Sequence, residues 1–339
     1  MAAGNIAGEI GIGPIGVALP ERRVSTAALA ATLGVDAARL EERLGFRSLA
    51  RKGEQQQSSD LAVQAVRHLI DQGFDIRRVE CLCAVTQNPD GTGIPPLSAI
   101  LHGRLALPQK VAAYDLAHGC AGFVHAVALT KSFMVAQGYR VGLVITCDLY
   151  SEIVDPEDYQ TALIFGDAAC ATVLCTDYIW QVGKITFGTA GAYRESLVRE
   201  PQSHLAMNGK RIARFCASVV PESILEAVEL NGYALGDMEL VLLHQASRYI
   251  VESIGTVLGV SEKTPFYAAE YGNTVSSSLP LALALHVPES VERVALSGFG
   301  VGLSWASTVL TRTIDRKSSM GQHAGSKAGH VPTDGELSA

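Results

Sequence analysis

KVAAYDLAHGC, residues 110–120, lines up without a gap on KTPFYAAEYGN, residues 263–273. Lys110 falls on Lys263, Tyr114 on Tyr267, Gly119 on Gly272 and Cys120 on Asn273. The same offset carries RVGL (140–143) onto RVAL (293–296), and a nearby one carries GFDIRRVECLCAVTQ (73–87) onto GYALGDMELVLLHQA (232–246). Self-similarity of this kind predicts two alike halves packed about a pseudo-twofold axis. The halves are placed at residues 1–177 and 178–314. The segments that carry Cys120, His244 and Asn273 then meet near the axis. A thiol, an imidazole and a carboxamide are the components of a cysteine acyl-transfer site.

The chain has 339 residues, 48% apolar and 18% charged, enough for a large buried core and two domains of ordinary size. No apolar run is long enough for a membrane span. MAAGNIAGEIGIG at the start lacks the basic region and apolar stretch of a secretory signal, so a cytoplasmic location is expected. A net charge of −7 argues against general nucleic-acid binding. Of the seven cysteines, Cys81, Cys83, Cys147, Cys170 and Cys175 lie in apolar strand-like text and read as reduced, buried thiols. Cys81 and Cys83 share a strand face, but no second pair at zinc spacing accompanies them, so no metal site is expected.

Apolar runs alternate with helical text along the chain. Strands are expected at 10–19, 79–85, 110–118, 140–148 and 169–177, and in the second half at 238–244, around TPFYAAE (264–270), at RVALSGFG (293–300) and through LSWASTVLTR (303–312). Helices are expected over 25–44, over LAVQAVRHLIDQ up to Gly73, over AGFVHAVALTKSFMVAQ up to Gly138, over 212–231 and 246–258, and from Val275. The order predicts an α/β protein with sheets covered on both faces. From residue 315 the text is polar and rich in Gly and Ser, and reads as a flexible tail.

Cys120 lies between Gly119 and Ala121-Gly122 at a strand-to-helix junction. There the free N–H groups and the helix dipole favour a thiolate. His244 ends an apolar strand, at the carboxyl edge where α/β folds place ligands. Asn273 precedes a helix. Taken singly, these residues read equally as one more buried cysteine, a structural histidine and an ordinary N-cap. Together they are far more specific.

DLAHGCAGF, LLHQAS, YGNTVSSSLPLAL and SGFGVGLSWAS resemble the motifs of β-ketoacyl-acyl-carrier-protein synthase III, a thiolase-fold condensing enzyme, as do GIGPIGVALPERRVST and TALIFGDAACATVL. The resemblance spans about residues 10–313. It implies a duplicated thiolase-like fold of layered αβαβα type, with Cys120 as nucleophile and His244 and Asn273 completing the site. The expected reaction is decarboxylative Claisen condensation of an acyl–Cys120 intermediate with a malonyl-type thioester. The resemblance also implies oxyanion donors at the backbone N–H of Cys120 and Val301, no permanently bound cofactor, a homodimer, and acyl carrier protein or coenzyme A as the thioester carrier.

The chain departs from the family at several positions. Arg39 stands where coenzyme A users carry an adenine-stacking Trp, while Arg43 matches a family arginine at the entrance. Arg248 falls one place before the family's basic residue after HQA. Lys210, Arg211 and Arg214 form a basic run that serves carrier docking or is simply a solvated face; Asn208, just ahead of it, joins the substrate-binding set. His118 replaces a small residue near the nucleophile, and either shapes the pocket or packs passively. Ile94, in a flexible loop, corresponds to the residue that floors the partner's acyl pocket. These departures suggest a specialised member of secondary metabolism. An O- or N-acyltransferase acting on a small natural product, without decarboxylation, is the alternative. A non-catalytic partner that fixes starter choice in a polyketide synthase is a third reading.

Overall fold

Gly11–Ala18 forms β1, the first of nine strands in one sheet of a computed structural model that describes residues 10–313. The expected tail lies outside the described residues. The other strands are β2 (Cys81–Val85), β3 (Ala112–Leu116), β4 (Val141–Asp148), β5 (Ala168–Cys175), β6 (Trp180–Thr189), β7 (Leu240–Leu243), β8 (Arg293–Gly300) and β9 (Ser304–Arg312). Their order is β7-β8-β9-β6-β1-β5-β4-β2-β3. Read outward from the β1–β6 junction, both sides follow one plan. An antiparallel pair (β1–β5, β6–β9) leads to a second antiparallel pair (β5–β4, β9–β8), then to a parallel neighbour (β4–β2, β8–β7). The two sides join where β1 pairs with β6, at Ile12 and Trp180. This is the duplication seen in the sequence.

The layering follows from hydrophobic patterning. Helix α2 (Gly122–Gln137) and helix α5 (Ser278–Leu285) are apolar nearly all round, as a helix between two sheets must be. Helix α2 touches β2 and β4 on one side and β8 and β9 on the other. Phe123, Val124 and Val127 pack there among Ile12, Cys83, Leu296 and Leu310. Full burial of each such side chain stabilises by roughly 1.5–3 kcal/mol. Helix α1 (Ser58–Asp71) covers the outer face of β1, β4 and β5, and helix α3 (Gly209–Leu230) with helix α4 (Arg248–Leu258) covers the opposite outer face. The result is an αβαβα stack.

Several expected elements differ. The helix expected over 25–44 is two, Thr26–Thr32 and Ala37–Leu44. Between them Gly34 adopts φ +68°, and the Asp36 carboxylate accepts from Ala38 N and Arg39 N to start the second. The third strand is shorter than 110–118, because His118 N donates to Leu116 O at 2.9 Å and turns the chain. TPFYAAE is not a strand. Its backbone is engaged elsewhere: Arg47 N donates to Ala269 O, Ser48 Oγ donates to Glu270 O, and Tyr267 N donates to Gln245 Oε1.

Candidate active site

Cys120 sits in the turn between Leu116, the last residue of β3, and Gly122, the first of α2. Two glycines shape its surroundings. A Cβ on Gly119 would lie 2.5 Å from Gln87 Oε1 and 2.6 Å from Val301 Cγ1, so the turn threads between those side chains. A Cβ on Gly300 would lie 2.6 Å from Cys120 Cβ and 2.7 Å from Sγ, so the end of β8 passes directly against the nucleophile. The chain then turns at Val301, and hydrogen bonding from the Val301 and Cys120 N–H groups pulls the Cys120 thiol down.

His244 follows the last residue of β7. Its N–H donates to Ser297 O on the parallel neighbour β8, and its ring stands edge-on to Phe299 at 5.5 Å. Gln245 clamps the turn: its N–H donates to Ser278 Oγ at 2.8 Å, its Nε2 to Leu243 O, and its Oε1 accepts from Tyr267 N. Asn273 is held by a one-residue bridge, donating to Ile164 O and accepting from Gly166 N, each at 2.9 Å. Its predecessor Gly272 has φ +82°, and a Cβ there would meet Leu49 Cδ2 at 2.7 Å, so only glycine fits. Asn273 Oδ1 accepts from Val275 N at 2.9 Å. That bond fixes the amide orientation and leaves Nδ2 as the donor available to a ligand.

These three side chains line one cavity of about 250 Å³, together with Cys216, Phe299 and Gly300. Its deep residues are buried. Arg43, Tyr159, Lys210 and Tyr249, also in its wall, are exposed and mark the mouth. The Arg43 guanidinium lies over the Tyr249 ring at 5.5 Å. Among the described residues, no group of three or more His, Cys, Asp and Glu is placed to hold a metal ion, and no helix is long and apolar enough to cross a membrane.

The other expected site residues are placed differently. Arg39 is exposed and lines no part of the cavity, whereas Leu40, Arg43 and Leu44 of the same helix do. Arg248 covers Phe266 at 5.7 Å, outside the cavity wall. Asn208 caps α3, accepting from Arg211 N. His118 stacks on His125 at 4.3 Å, and His125 meets Phe187 at 5.1 Å, away from the cavity. The turn after Leu116 prevents His118 from sharing a strand face with Cys120. Ile94 is 87% exposed. The sequence reading overlooked Cys216, a second thiol in the wall, and the serines of SSS (276–278), whose clustering after Asn273 was the available signal.

Burial decides the electrostatics. It pushes the Cys120 thiol up to about 12, against the pull of the Val301 and Cys120 N–H groups, while Asp148 pushes it further up. The helix-terminal position therefore does not make a resting thiolate, contrary to the expectation from sequence. Burial lowers His244 to about 3, so its imidazole is neutral at working pH and presents one N–H donor. A histidine depressed below its unfolded value of about 6.5 binds a proton only in the unfolded chain between these two pKa values. Its stabilising contribution is present above pH 6.5 and is lost as the pH falls. The loss between pH 7 and pH 5 is on the order of 2 kcal/mol. Replacing His244 by Asn is expected to flatten denaturant-midpoint curves over this window; an unchanged slope would show that the imidazole titrates freely.

Two family models match the chain: 3-oxoacyl-(acyl-carrier-protein) synthase III over residues 114–191 and its C-terminal part over residues 228–312. A β-ketoacyl-(acyl-carrier-protein) synthase III of Streptococcus equi subsp. zooepidemicus is 30% identical over 274 residues, covering 75% of this chain and 84% of the relative. The enzyme of that name from Deinococcus deserti is 29% identical over 319 residues, covering 88% and 90%. Among solved structures, the β-ketoacyl synthase III of Thermus thermophilus superposes with a TM-score of 0.83 at 29% identity, covering 89% of this chain and 99% of that one. The priming β-ketosynthase of a polyketide biosynthetic pathway superposes at 0.81 with 27% identity, covering 89% and 96%.

Proposed function

The chain belongs to the β-ketoacyl-(acyl-carrier-protein) synthase III family, and on that premise we propose that Cys120, His244 and Asn273 perform its chemistry. The reaction is acyl-cysteine formation followed by decarboxylative condensation, in fatty-acid or polyketide-type biosynthesis. In the first half, Sγ of Cys120 attacks the carbonyl carbon of an acyl thioester. The S–H proton passes to the departing thiol. The tetrahedral oxyanion is held by the N–H groups of Cys120 and Val301. In the second half, a malonyl thioester loses carbon dioxide. The C–C bonding electrons form an enolate, whose carbon attacks the acyl group and expels the Cys120 sulfur. Negative charge on the enolate oxygen is met by the N–H of His244 and Nδ2 of Asn273, two neutral donors that cost no charge burial.

The observation that carries this assignment is the fixed orientation of the Asn273 amide. With Oδ1 bound to Val275 N, its donor is the group left for the cavity that Cys120 and His244 share. Arg43 and Lys210 at the mouth support binding of the phosphates of coenzyme A or of the acidic carrier protein. The exposed Ile94 and the edge strand β3 support a homodimer, since an edge left unpaired invites a second chain. The resemblance to a priming ketosynthase supports a specialised starter unit, and a cytoplasmic location accords with all of these.

His244→Ala is the test. The variant is expected to acquire the acyl mass normally yet release carbon dioxide from malonyl thioester about 10²–10³ times more slowly, the loss of one oxyanion donor, or roughly 2.7–4 kcal/mol. Loss of self-acylation instead would move His244 into the first half-reaction. Product formed without carbon dioxide would identify simple acyl transfer.

A further inference from the structure

We propose that Asp148 is a positioning residue that sets the Asn273 donor against the Cys120 turn, acting through Ser276 on one side and Gln87 on the other. The proposal rests on the roles given above to Cys120 and Asn273. Asp148 is the last residue of β4 and is fully buried. Each carboxylate oxygen serves a different side of the site. Oδ1 accepts from Gln87 N at 2.7 Å, with Thr86 Oγ1 at 3.5 Å. The Gln87 side chain lies against Gly119, beside the nucleophile, and its Oε1 accepts from Tyr150 OH at 2.6 Å. Oδ2 accepts from Ser276 Oγ at 2.5 Å and from Ser276 N at 3.3 Å.

Ser276 stands three residues beyond Asn273, and the backbone between them is strained. Val275 adopts φ +52°, a left-handed conformation rare for a β-branched residue. Such a residue persists only where its surroundings over-determine it. Here Asn273 Oδ1 holds Val275 N, and Asp148 holds the next residue by two bonds. Ser277 adds a further anchor, donating to Thr146 O and Ala168 O. Releasing Ser276 removes the anchor on the residue that follows the strained one, so the amide loses its aim while the Cys120 turn is left in place. Burial pushes Asp148 up to about 6 against these hydrogen bonds, an energetic cost that an apolar residue would avoid. The cost is consistent with a residue kept for geometry.

The test separates the two half-reactions in the full-length protein. Self-acylation is followed by intact mass with acetyl-, butyryl- and octanoyl-coenzyme A, and carbon dioxide release is followed with malonyl-coenzyme A on the pre-acylated enzyme. Ser276→Ala is expected to acylate at a near wild-type rate while decarboxylation slows about tenfold, and Asp148→Asn to slow it up to about 100-fold, the range caused by a 1 Å misplacement. The double variant should lose little more than Asp148→Asn alone. Equal losses in both half-reactions, or unchanged decarboxylation in Ser276→Ala, would overturn the proposal, and Ser276→Ala decides alone if Asp148→Asn does not fold. Wild-type enzyme that acquires no acyl mass on Cys120 would instead overturn the assignment on which the proposal rests.

Discussion

Cys120→Ala is expected to acquire no acyl mass from any thioester that loads the wild-type enzyme, and its condensation rate is expected to fall by at least about 10⁴-fold, as when a covalent nucleophile is removed. The other cysteines offer no substitute. Cys81, Cys83, Cys147, Cys170 and Cys175 are buried within strands, where desolvation raises each thiol. Cys216 is the one other thiol in the cavity wall among the described residues, and burial raises it as well. Intact mass spectrometry of the variant, followed by peptide mapping of any adduct, checks this. An adduct on Cys216 would relocate the nucleophile and end the assignment of Cys120.

The second large effect is expected at a residue without a side chain. Gly300→Ala places a methyl group 2.6 Å from Cys120 Cβ and 2.7 Å from Sγ, well inside van der Waals contact. The clash has no inexpensive outlet. On the same strand, Gly298 already presses on Ala121 Cα and Cys120 O, each 3.0 Å from where its own Cβ would sit. The Cys120 turn is also bounded by Gln87 and Val301. The φ of Gly300, 162°, lies outside the left-handed region, so the effect argued here is the steric one. Overpacking of this kind costs about 1–3 kcal/mol of stability. Displacement of the sulfur from its two N–H donors should slow acylation roughly 100-fold. Gly191→Ala is the control, because nothing lies within 4 Å of a Cβ added there. Acylation of Gly300→Ala at the wild-type rate would show that the sulfur is not held by β8 as described.

Much of the fold was legible because its signals are local or repeated. The nearly all-apolar runs VECLCAV and RVGLVIT carry strands because a strand covered on both faces has no polar side. The offset between the halves exposed the duplication, and the mirrored strand order about β1 and β6 is its three-dimensional form. The failures came where tertiary contacts overrode local text. TPFYAAE has strand composition, but its backbone bonds to Arg47 and Ser48 instead of joining the sheet. Helix text over 25–44 was interrupted by one glycine and one aspartate, too small a signal against the surrounding alanines.

The sequence by itself determined the residue types of the site and the architecture that brings them together. Cys120, His244 and Asn273 each follow or precede a strand or helix end that periodicity reveals, and duplication directs those ends towards one axis. What only the tertiary structure decided is how these groups are aimed and charged. The closeness of Gly300 to the sulfur and the position of Asp148 between Gln87 and Ser276 depend on contacts between residues scores of positions apart, and the Asn273 amide is aimed by a bond to Val275 N that sequence periodicity does not display. The protonation of Cys120 and His244 was likewise fixed by burial, a property of the packed chain, which outweighed the helix terminus that the local sequence displays.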